Sequence, residues 1–206
     1  MPQTLEVPTL IYRENRLTRR LRRAFDITVS SVALILAAPV IAAASIAILL
    51  DDGAPVFFCQ RRVGRFERMF TIYKLRTMRR EACGDRRSPT DGSDPRITAI
   101  GRFLRKTSID ELPQLFNVLS GDMTLVGPRP EMQLIVGQYE RWQNLRHLVS
   151  PGITCIWQTK CRSTIPLDRP EATALDLEYI ERASPLLDGR LILRTFSSII
   201  FPRGAY

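Results

Sequence analysis

The longest hydrophobic run in the chain covers residues 27–50 and contains no charged side chain. As a helix, this segment would measure about 36 Å, which is enough to cross a hydrocarbon core of about 30 Å. The pattern therefore predicts a membrane segment. One alternative is a signal peptide, although the run is longer than the usual apolar core of one. A single transmembrane span is the second alternative.

Charged residues on both sides of this segment favour a third arrangement. Arginines are frequent between residues 13 and 23 and again between residues 61 and 68. Basic flanks stay on the cytoplasmic side, so both ends of the segment are expected on one side of the membrane. Pro39 offers a place for the chain to turn back, because it lacks the N–H that a helix needs. We predict a re-entrant helix over residues 26–50, broken at Pro39, with a single span as the alternative. Residues 1–25 are expected to form a basic amphipathic segment on the membrane surface.

Shorter patterns describe the rest of the chain. Two runs rich in β-forming residues, 56–60 and 69–75, flank Gly64 and predict a β-hairpin. Residues 79–96 are polar and rich in Pro and Gly, which predicts a mobile loop. Apolar periodicity predicts helices at 98–105, 108–120, 131–145, 171–183 and 187–200. The expected fold is α+β and mostly α, with one membrane-inserted helix and a small cytoplasmic helical domain over residues 51–206.

The composition adds a strong positive charge to this picture. The chain has 30 Lys and Arg against 21 Asp and Glu, a net charge of +9. This charge predicts anionic partners such as nucleic acid, anionic lipid or phosphorylated substrates. The four cysteines lack Cys-x-x-Cys spacing and His147 is the single histidine, which argues against a zinc cluster and a Ser-His-Asp relay. Any metal is expected to be a hard cation bound to carboxylates and phosphates.

Two adjacent carboxylates, Asp110 and Glu111, lie in the stretch TSIDELPQL at residues 107–115. Ser108 and Glu111 have the spacing of a capping box at a helix start, and acidic residues there also complement the helix dipole. On local grounds this structural interpretation is favoured. Adjacent helical residues do not face one another, so the pair is poorly suited to sharing a proton and better suited to two separate tasks.

Several strings along the chain together resemble the bacterial sugar transferases. They are RRAFDI at 22–27, QRRVG at 60–64, FTIYKLRTM at 70–78, DPRIT at 94–98, GRFLRKTSIDELPQLFNVLSGDMTLVGPRP at 101–130 and LRHLVSPGIT at 145–154. The block at 101–130 is the most specific of them. No four-helix membrane portion precedes these strings, so the chain looks like the small monotopic phosphoglycosyl transferases of that family.

The resemblance implies a reaction and a site. A sugar 1-phosphate would pass from a nucleotide diphosphate sugar, usually a UDP-sugar, to a polyprenyl phosphate such as undecaprenyl phosphate. This would be the first membrane step of a polysaccharide or glycoconjugate pathway, for example exopolysaccharide synthesis. By position, Asp110 would be the nucleophile that forms an aspartyl-phosphosugar intermediate, and Glu111 with Asp110 would hold Mg²⁺. The resemblance also implies the cytoplasmic face of the inner membrane and no nucleic-acid partner, and leaves a homodimer open.

Basic residues around the acidic pair are candidates for binding the substrate phosphates. Arg129 and Arg105 are expected to do so, because a guanidinium fork matches phosphate oxygens. The structural alternative for Arg129 is a tie between two turns. Further candidates are Lys74 and Arg76, which could instead be outward residues of a strand, and Arg146 with the neighbouring His147.

The chain departs from the family pattern at two places. Ala38 replaces the serine that usually precedes the proline of the membrane segment, which removes a hydroxyl that could satisfy the opened backbone. Cys155 and Cys161 stand where glycine is common, so the local loop is expected to differ, with consequences for sugar choice.

Two further expectations concern the membrane edge and a rival function. Asp26 is expected to pair with Arg22 and Arg23 and to hold the segment in place. The rival is a non-catalytic, basic, membrane-anchored module that binds anionic lipid or nucleic acid. It would account for the charge and for residues 13–50, but not for the agreement at 101–130.

Overall fold

The computed structural model describes residues 15–82, 89, 93–160, 165, 167 and 169–200, without the side chains of residues 196 and 198–200. Its α-helices are α1 (Arg16–Asp52), α2 (Ala99–Thr107), α3 (Gln114–Ser120), α4 (Gln133–Val136), α5 (Ile156–Lys160), α6 (Pro170–Arg182) and α7 (Pro185–Ile200). Its strands are β1 (Phe57–Val63), β2 (Met69–Leu75), β3 (Thr124–Val126) and β4 (Gly152–Thr154). The described part is therefore mostly helical with little β structure, as predicted.

Helix α1 contains the apolar run and continues through Pro39 without an interruption. Asn15 caps its first turn by accepting a hydrogen bond from the Leu17 N–H at 3.1 Å. Within the described residues, α1 is the one helix long and apolar enough to cross a membrane. The helix is therefore not interrupted at Pro39, where a break was predicted. A re-entrant change of direction there stays a prediction. The predicted boundary after residue 25 lies inside α1, and residues 1–14 lie outside the described part of the chain.

The predicted hairpin is confirmed. Strands β1 and β2 pair antiparallel, with Phe57 opposite Leu75 and Val63 opposite Met69. Most of the predicted mobile loop at 79–96 lies outside the described residues. Beyond it, Ile97 forms an isolated bridge with Met78, which returns the chain to the end of the hairpin.

The predicted helix at 108–120 is wrong as a single element. Ser108 ends α2 with a left-handed conformation, φ 56°, which a right-handed helix cannot continue. Ile109–Glu111 then form a separate 3₁₀ turn, and α3 begins at Gln114. The Ser108 side chain makes no capping hydrogen bond, so the capping box expected here does not form.

The C-terminal part contains a strand pair that the sequence did not predict. Strands β3 and β4 are parallel, with Thr124 opposite Gly152 and Val126 opposite Thr154. The predicted helix at 131–145 is instead the short α4 followed by a 3₁₀ segment, Arg141–Leu148. The helices predicted at 171–183 and 187–200 are confirmed as α6 and α7.

The apolar core of the described residues lies in four clusters, the smallest of which contains Cys155, Trp157 and Ala172. The largest packs β3, α5, α6 and α7 around Val126, Ile156, Leu177, Ile180 and Leu191. A second joins the C-terminal half of α1 to β2 and α2 through Ile48, Leu75 and Leu104, and a third joins β2 to α3. The hairpin is therefore shared by two clusters, one with α1 and α2 and one with α3, whereas the C-terminal helices pack on β3.

The N-terminal part of α1 is docked on α3 and β3 by polar contacts. Arg23 donates to the carbonyls of Val118 and Leu119 at the end of α3, at 2.5 and 2.7 Å. The Asp26 carboxylate is buried and accepts from the Thr124 hydroxyl at 2.7 Å and the Leu125 N–H at 3.2 Å. Asp26 thus holds β3 by hydrogen bonds, and the charges of Arg23 and Arg22 also act on its carboxylate, as expected. Arg22 pairs with Asp188 of α7, at 2.9 Å.

Candidate active site

The acidic pair sits on the 3₁₀ turn Ile109–Glu111, and both carboxylates are mostly buried. Helix α3, which follows the turn, is fixed to β2 by Asn117. The Asn117 side chain accepts from the Tyr73 N–H at 3.1 Å and donates to the Thr71 carbonyl at 2.7 Å. It therefore bonds to the edge of β2 as another strand would, and this sets the distance between the acidic pair and the side chain of Lys74.

Glu111 is the centre of a charged cluster contributed by separate parts of the chain. The Lys74 ammonium lies 2.8 Å from Glu111 Oε1, and the Arg129 guanidinium binds the same oxygen and also reaches Oε2. The Arg129 terminal nitrogen that reaches Oε2 also donates to the Gln158 side chain of α5 at 3.0 Å. The structure thus brings together Asp110, Glu111, Lys74 and Arg129 of the predicted site, and adds Gln158.

The electrostatics of the cluster are set by burial and by the two carboxylates that face its two cations. Burial lowers the pKa of Lys74, although Glu111 and the nearby Asp110 both act to raise it. For Arg129, burial works to lower the pKa, but the Glu111 carboxylate holds it above its usual range. Glu111 is shared by two cations, so each of them keeps capacity to bind a phosphate oxygen. Cations of this kind at a carboxylate pair suit a reaction on a phosphorylated substrate.

Arg76, a predicted phosphate ligand, has other partners. Its guanidinium donates to the Gly53 carbonyl at 2.6 Å and the Asp52 carbonyl at 3.0 Å, and lies 3.2 Å from the Asp52 carboxylate. The side chain is nearly fully buried. Arg76 therefore binds the C-terminal end of α1, where a helix leaves carbonyls without partners. These contacts indicate a structural role rather than the predicted phosphate contact.

Arg105 lies in the last turn of α2, just before the acidic pair. Its Nε donates to the Thr77 hydroxyl at 2.9 Å. This bond ties the side chain to the segment that follows β2. A phosphate contact from Arg105 stays a prediction.

Arg146, another predicted phosphate ligand, is buried behind the cluster. Its guanidinium donates to the backbone carbonyl of Arg129 at 2.7 Å and to the Tyr139 hydroxyl at 2.5 Å, and it pairs with Asp176 of α6 at 2.6 Å. These contacts indicate support for Arg129 rather than contact with substrate. The neighbouring His147 is also buried, and burial followed by the charge of Arg146 lowers its pKa to about 4.

The Cys155 side chain, at a position where glycine is common in the family pattern, is accommodated in the core beside Trp157 and Ala172. Burial raises the pKa of its thiol to about 12, so it stays protonated. It accepts from the Gln158 N–H at 3.4 Å, which places it at the start of the helix that supplies Gln158. Cys161 lies outside the described residues.

Sequence reasoning missed three residues that organise the site: Asn117, Gln158 and Asp176. Gln158 lies between Cys155 and Cys161, the two positions where glycine is common in the family pattern, and this place was a usable signal. Asn117 stands in the block at 101–130 but reads as an ordinary polar position of a helix. Asp176 gave no signal, because its partner Arg146 lies 30 positions earlier in the chain.

The sequence profile of the bacterial sugar transferases matches residues 17–202, nearly all of the chain. The chain belongs to the bacterial sugar transferase family. The matched region begins in α1, so the apolar helix is part of the family pattern together with the acidic pair and its cations.

Several curated proteins are similar to this bacterial sugar transferase. An undecaprenyl-phosphate glucose phosphotransferase of Komagataeibacter xylinus is 42% identical over 196 residues, which cover 90% of the chain and 37% of the relative. The UDP-glucose:undecaprenyl-phosphate glucose-1-phosphate transferase of Escherichia coli is 36% identical, with 91% of the chain and 42% of the relative covered. The uncharacterized sugar transferase EpsL of Bacillus subtilis is 40% identical, with 89% of each chain covered. The transferase thus spans less than half of the length of the first two relatives.

The two carboxylates of the acidic pair fit the expected Mg²⁺ if substrate oxygens and waters supply the other ligands. No group of three or more His, Cys, Asp or Glu residues that could hold a metal occurs in the part of the chain that the structure describes. Magnesium is commonly bound by one or two carboxylates, with substrate phosphates and waters as the other ligands. The adjacent carboxylates of Asp110 and Glu111 match that pattern.

Proposed function

We propose that this chain transfers a sugar 1-phosphate from a UDP-sugar to undecaprenyl phosphate, and so begins the assembly of a membrane-linked glycan. The observation that carries the proposal is the cluster in which Lys74 and Arg129 share Glu111 beside Asp110. Family membership and relatives named for undecaprenyl-phosphate sugar transfer support it. The products would be undecaprenyl diphosphate sugar and UMP.

In the proposed first step, an Asp110 carboxylate oxygen attacks the phosphorus that carries the sugar. A bond from Asp110 to phosphorus forms, the bond between the two phosphates of the donor breaks, and UMP leaves with that electron pair. A carboxylate ionised at neutral pH needs no general base for this attack. In the second step, an oxygen of undecaprenyl phosphate attacks the same phosphorus and releases Asp110.

The cationic residues would hold the phosphate groups during both steps. Arg129 presents a fork whose orientation is set by Glu111 and Gln158. Lys74 presents a point charge at the Glu111 oxygen that Arg129 also binds. Bound Mg²⁺, held by Asp110 and Glu111 together with substrate oxygens, would neutralise charge on the diphosphate. Most of the rate acceleration would then come from positioning and charge stabilisation, as in other phosphoryl transfers.

The proposal places the cluster at the cytoplasmic face of the inner membrane. Helix α1 exposes large apolar side chains such as Ile35, Leu36 and Leu50, which water would solvate poorly. The polyprenyl acceptor is confined to the lipid phase, so a transferase docked on such a helix would meet it there. We further propose that α1 re-enters the membrane, because its flanks on both sides are basic.

The test uses purified protein in detergent with Mg²⁺, undecaprenyl phosphate and a panel of UDP-sugars, and it measures release of UMP. We expect release that depends on the lipid phosphate and identifies the sugar. Asp110→Asn should abolish turnover, and Glu111→Gln should lower it by about 100-fold, a typical cost of removing a charge that organises a catalytic site. Asp122→Asn is the matched control, because Asp122 is exposed and accepts a hydrogen bond from Ser120.

The covalent step has its own measurement. Donor without acceptor should raise the intact mass of the protein by one sugar phosphate, and Asp110→Asn should show no such increase. Normal UMP release by Asp110→Asn would refute the nucleophile. Silence of folded wild-type protein across the panel would instead favour the non-catalytic membrane-binding module.

A further inference from the structure

Arg129 lies between two prolines in the string GPRP, at residues 127–130, and its backbone carbonyl has a specific partner. Arg146 donates to this carbonyl at 2.7 Å. Proline fixes its own φ angle and restricts the residue before it, so the backbone around Arg129 has little freedom. Fixing the carbonyl therefore also fixes the direction in which the Arg129 side chain leaves the backbone.

Arg146 is in turn held by the C-terminal helices. Its terminal nitrogen lies 2.6 Å from the Asp176 carboxylate of α6, and about 1% of each side chain is exposed. Burial raises the pKa of Asp176, an effect that the charge of Arg146 opposes. The Tyr139 hydroxyl accepts from the other terminal nitrogen. The guanidinium of Arg146 is thus bound on both arms and is not available to a substrate.

A buried ion pair of this kind is a poor source of stability. The cost of removing two charges from water commonly equals or exceeds their attraction, and well-packed apolar side chains do as well or better. The stability of the fold alone therefore gives no reason for Arg146 and Asp176. Their geometry gives one, because the same nitrogen that pairs with Asp176 also holds the Arg129 carbonyl.

We propose that Arg146 and Asp176 are positioning residues for Arg129. Asp176 orients Arg146, Arg146 fixes the Arg129 backbone, and the Arg129 side chain is thereby held on Glu111 and Gln158. Helix α6 is connected in this way to the acidic pair. The kinetic part of this inference rests on the proposed transferase reaction, whereas the structural part does not.

The decisive variant removes both charges at once, as Arg146→Met with Asp176→Leu. Each single change, Arg146→Met or Asp176→Leu, should lower the melting temperature, because it leaves a buried charge without its partner. The double variant should recover most of the melting temperature. It should nevertheless keep a kcat about 100-fold below wild type, since a displacement of about 1 Å at a catalytic group costs that much. A residue pair that serves only stability would recover activity together with the melting temperature.

Two further variants complete the kinetic test. Arg146→Lys keeps the charge opposite Asp176 but lacks the fork that also reaches the Arg129 carbonyl and Tyr139, so it should fold and lose at least about 10-fold in kcat. It decides the question if the double variant does not fold. Glu178→Gln with Arg182→Gln is the matched control, because this pair lies on the exposed side of the same helix α6. The control should retain wild-type kcat.

A readout that needs no turnover separates this inference from the proposed function. The Arg129 Nε–Hε signal in a nitrogen-15 NMR spectrum, assigned with Arg129→Lys, should be sharp and slow to exchange in wild type. It should broaden or shift in the double variant and in Arg146→Lys, and stay unchanged in the control. An unchanged Arg129 signal in the double variant, or wild-type kcat there, would overturn the inference. An inactive wild type with the expected NMR changes would refute the transferase reaction alone.

Discussion

The basic residues near the acidic pair differ in their surroundings, and the partners of each residue determine what it can do. Lys74 and Arg129 meet at Glu111, whereas Arg76 is taken up by the end of α1 and Arg146 by Asp176. All four are basic residues in family strings, and the sequence favoured Arg129 as a phosphate ligand over Lys74, Arg76 and Arg146. The contacts divide them into two residues that can face a substrate and two that support the fold around it.

Arg76→Gln tests this division. The change removes charged hydrogen bonds to Gly53 and Asp52, and should lower the free energy of unfolding by about 2 kcal/mol. It should leave the KM of the folded enzyme for the donor unchanged. Chemical denaturation and UMP release measure the two quantities, with Arg129→Gln as the comparison, in which activity should fall far more. A raised KM with an unchanged free energy of unfolding in Arg76→Gln would show that Arg76 contacts the substrate.

His147 should make the stability of the protein depend on pH. Burial and the charge of Arg146 lower its pKa to about 4, from an ordinary value near 6.5. Between these two pKa values, the His147 imidazole is protonated in the unfolded chain but neutral in the folded chain. The free energy of unfolding therefore decreases as pH falls from about 6.5 towards 4, by at most about 1.4 kcal/mol per pH unit. Burial also raises the pKa of Asp176 to about 6, so protonation of that carboxyl favours the folded state as pH falls and opposes the loss. The contribution of His147 is therefore measured between about pH 7 and 5.5 as the difference in melting temperature between wild type and a variant without the imidazole.

The control for this titration is His147→Gln, which removes the only imidazole of the chain. Its melting temperature should be lower than that of wild type at pH 7, and the difference between the two proteins should shrink down to pH 5.5. An equally steep dependence in the variant would assign the titration to another group.

At the scale of the elements, the predictions succeeded where a pattern was long or had a clear turn. The hairpin was predictable because β-forming runs flank Gly64, and α6 and α7 because each is long. The pair of β3 and β4 was not, since each strand has three residues and the partners are far apart in sequence. The break at Ser108 was also hidden, because left-handed serine leaves no mark in the periodicity. Thus the acidic pair was found, while the turn that presents it was not.

Asn117 is the residue that binds α3 to the hairpin, and its replacement should separate the two. Asn117→Asp keeps the shape but cannot donate to the Thr71 carbonyl, and it buries a charge. We expect a loss of about 3 kcal/mol in the free energy of unfolding, at the upper end for an unsatisfied buried group. Chemical denaturation measures the loss. Ser120→Ala, at the C-terminal end of the same helix, is the control and should cost less than about 1 kcal/mol. Equal stability of both variants would show that α3 needs no such tie.

At the scale of the whole molecule, the apolar helix α1 packs against the elements that surround the acidic pair. Helix α1 contacts α3 and β3 through Arg23 and Asp26, and its C-terminal half packs on β2 and α2. The sequence predicted the membrane segment from its hydropathy. It could not predict the contacts of Arg23 and Asp26, since these join residues nearly a hundred positions apart.

Topology decides between a re-entrant helix and a single span. A fluorescent reporter that matures only in the cytoplasm should fluoresce when it is fused before residue 1 and also when it is fused after residue 206. Both flanks of α1 are basic and should stay on that side. Cells with the reporter on the C-terminal end alone provide the reference signal. A dark N-terminal fusion with an active periplasmic phosphatase at the same position would establish a single span.

The docking of Arg23 and Asp26 has a practical consequence for anyone who wants a water-soluble version of this enzyme. Truncation in front of the hairpin would leave the Val118 and Leu119 carbonyls and the Thr124 hydroxyl without the partners that α1 supplies. A successful redesign would keep the helix and replace its exposed apolar side chains, such as Ile35, Leu36 and Leu50, with charged residues. A soluble version is therefore expected from substitutions on the surface of α1, and not from deletion of α1.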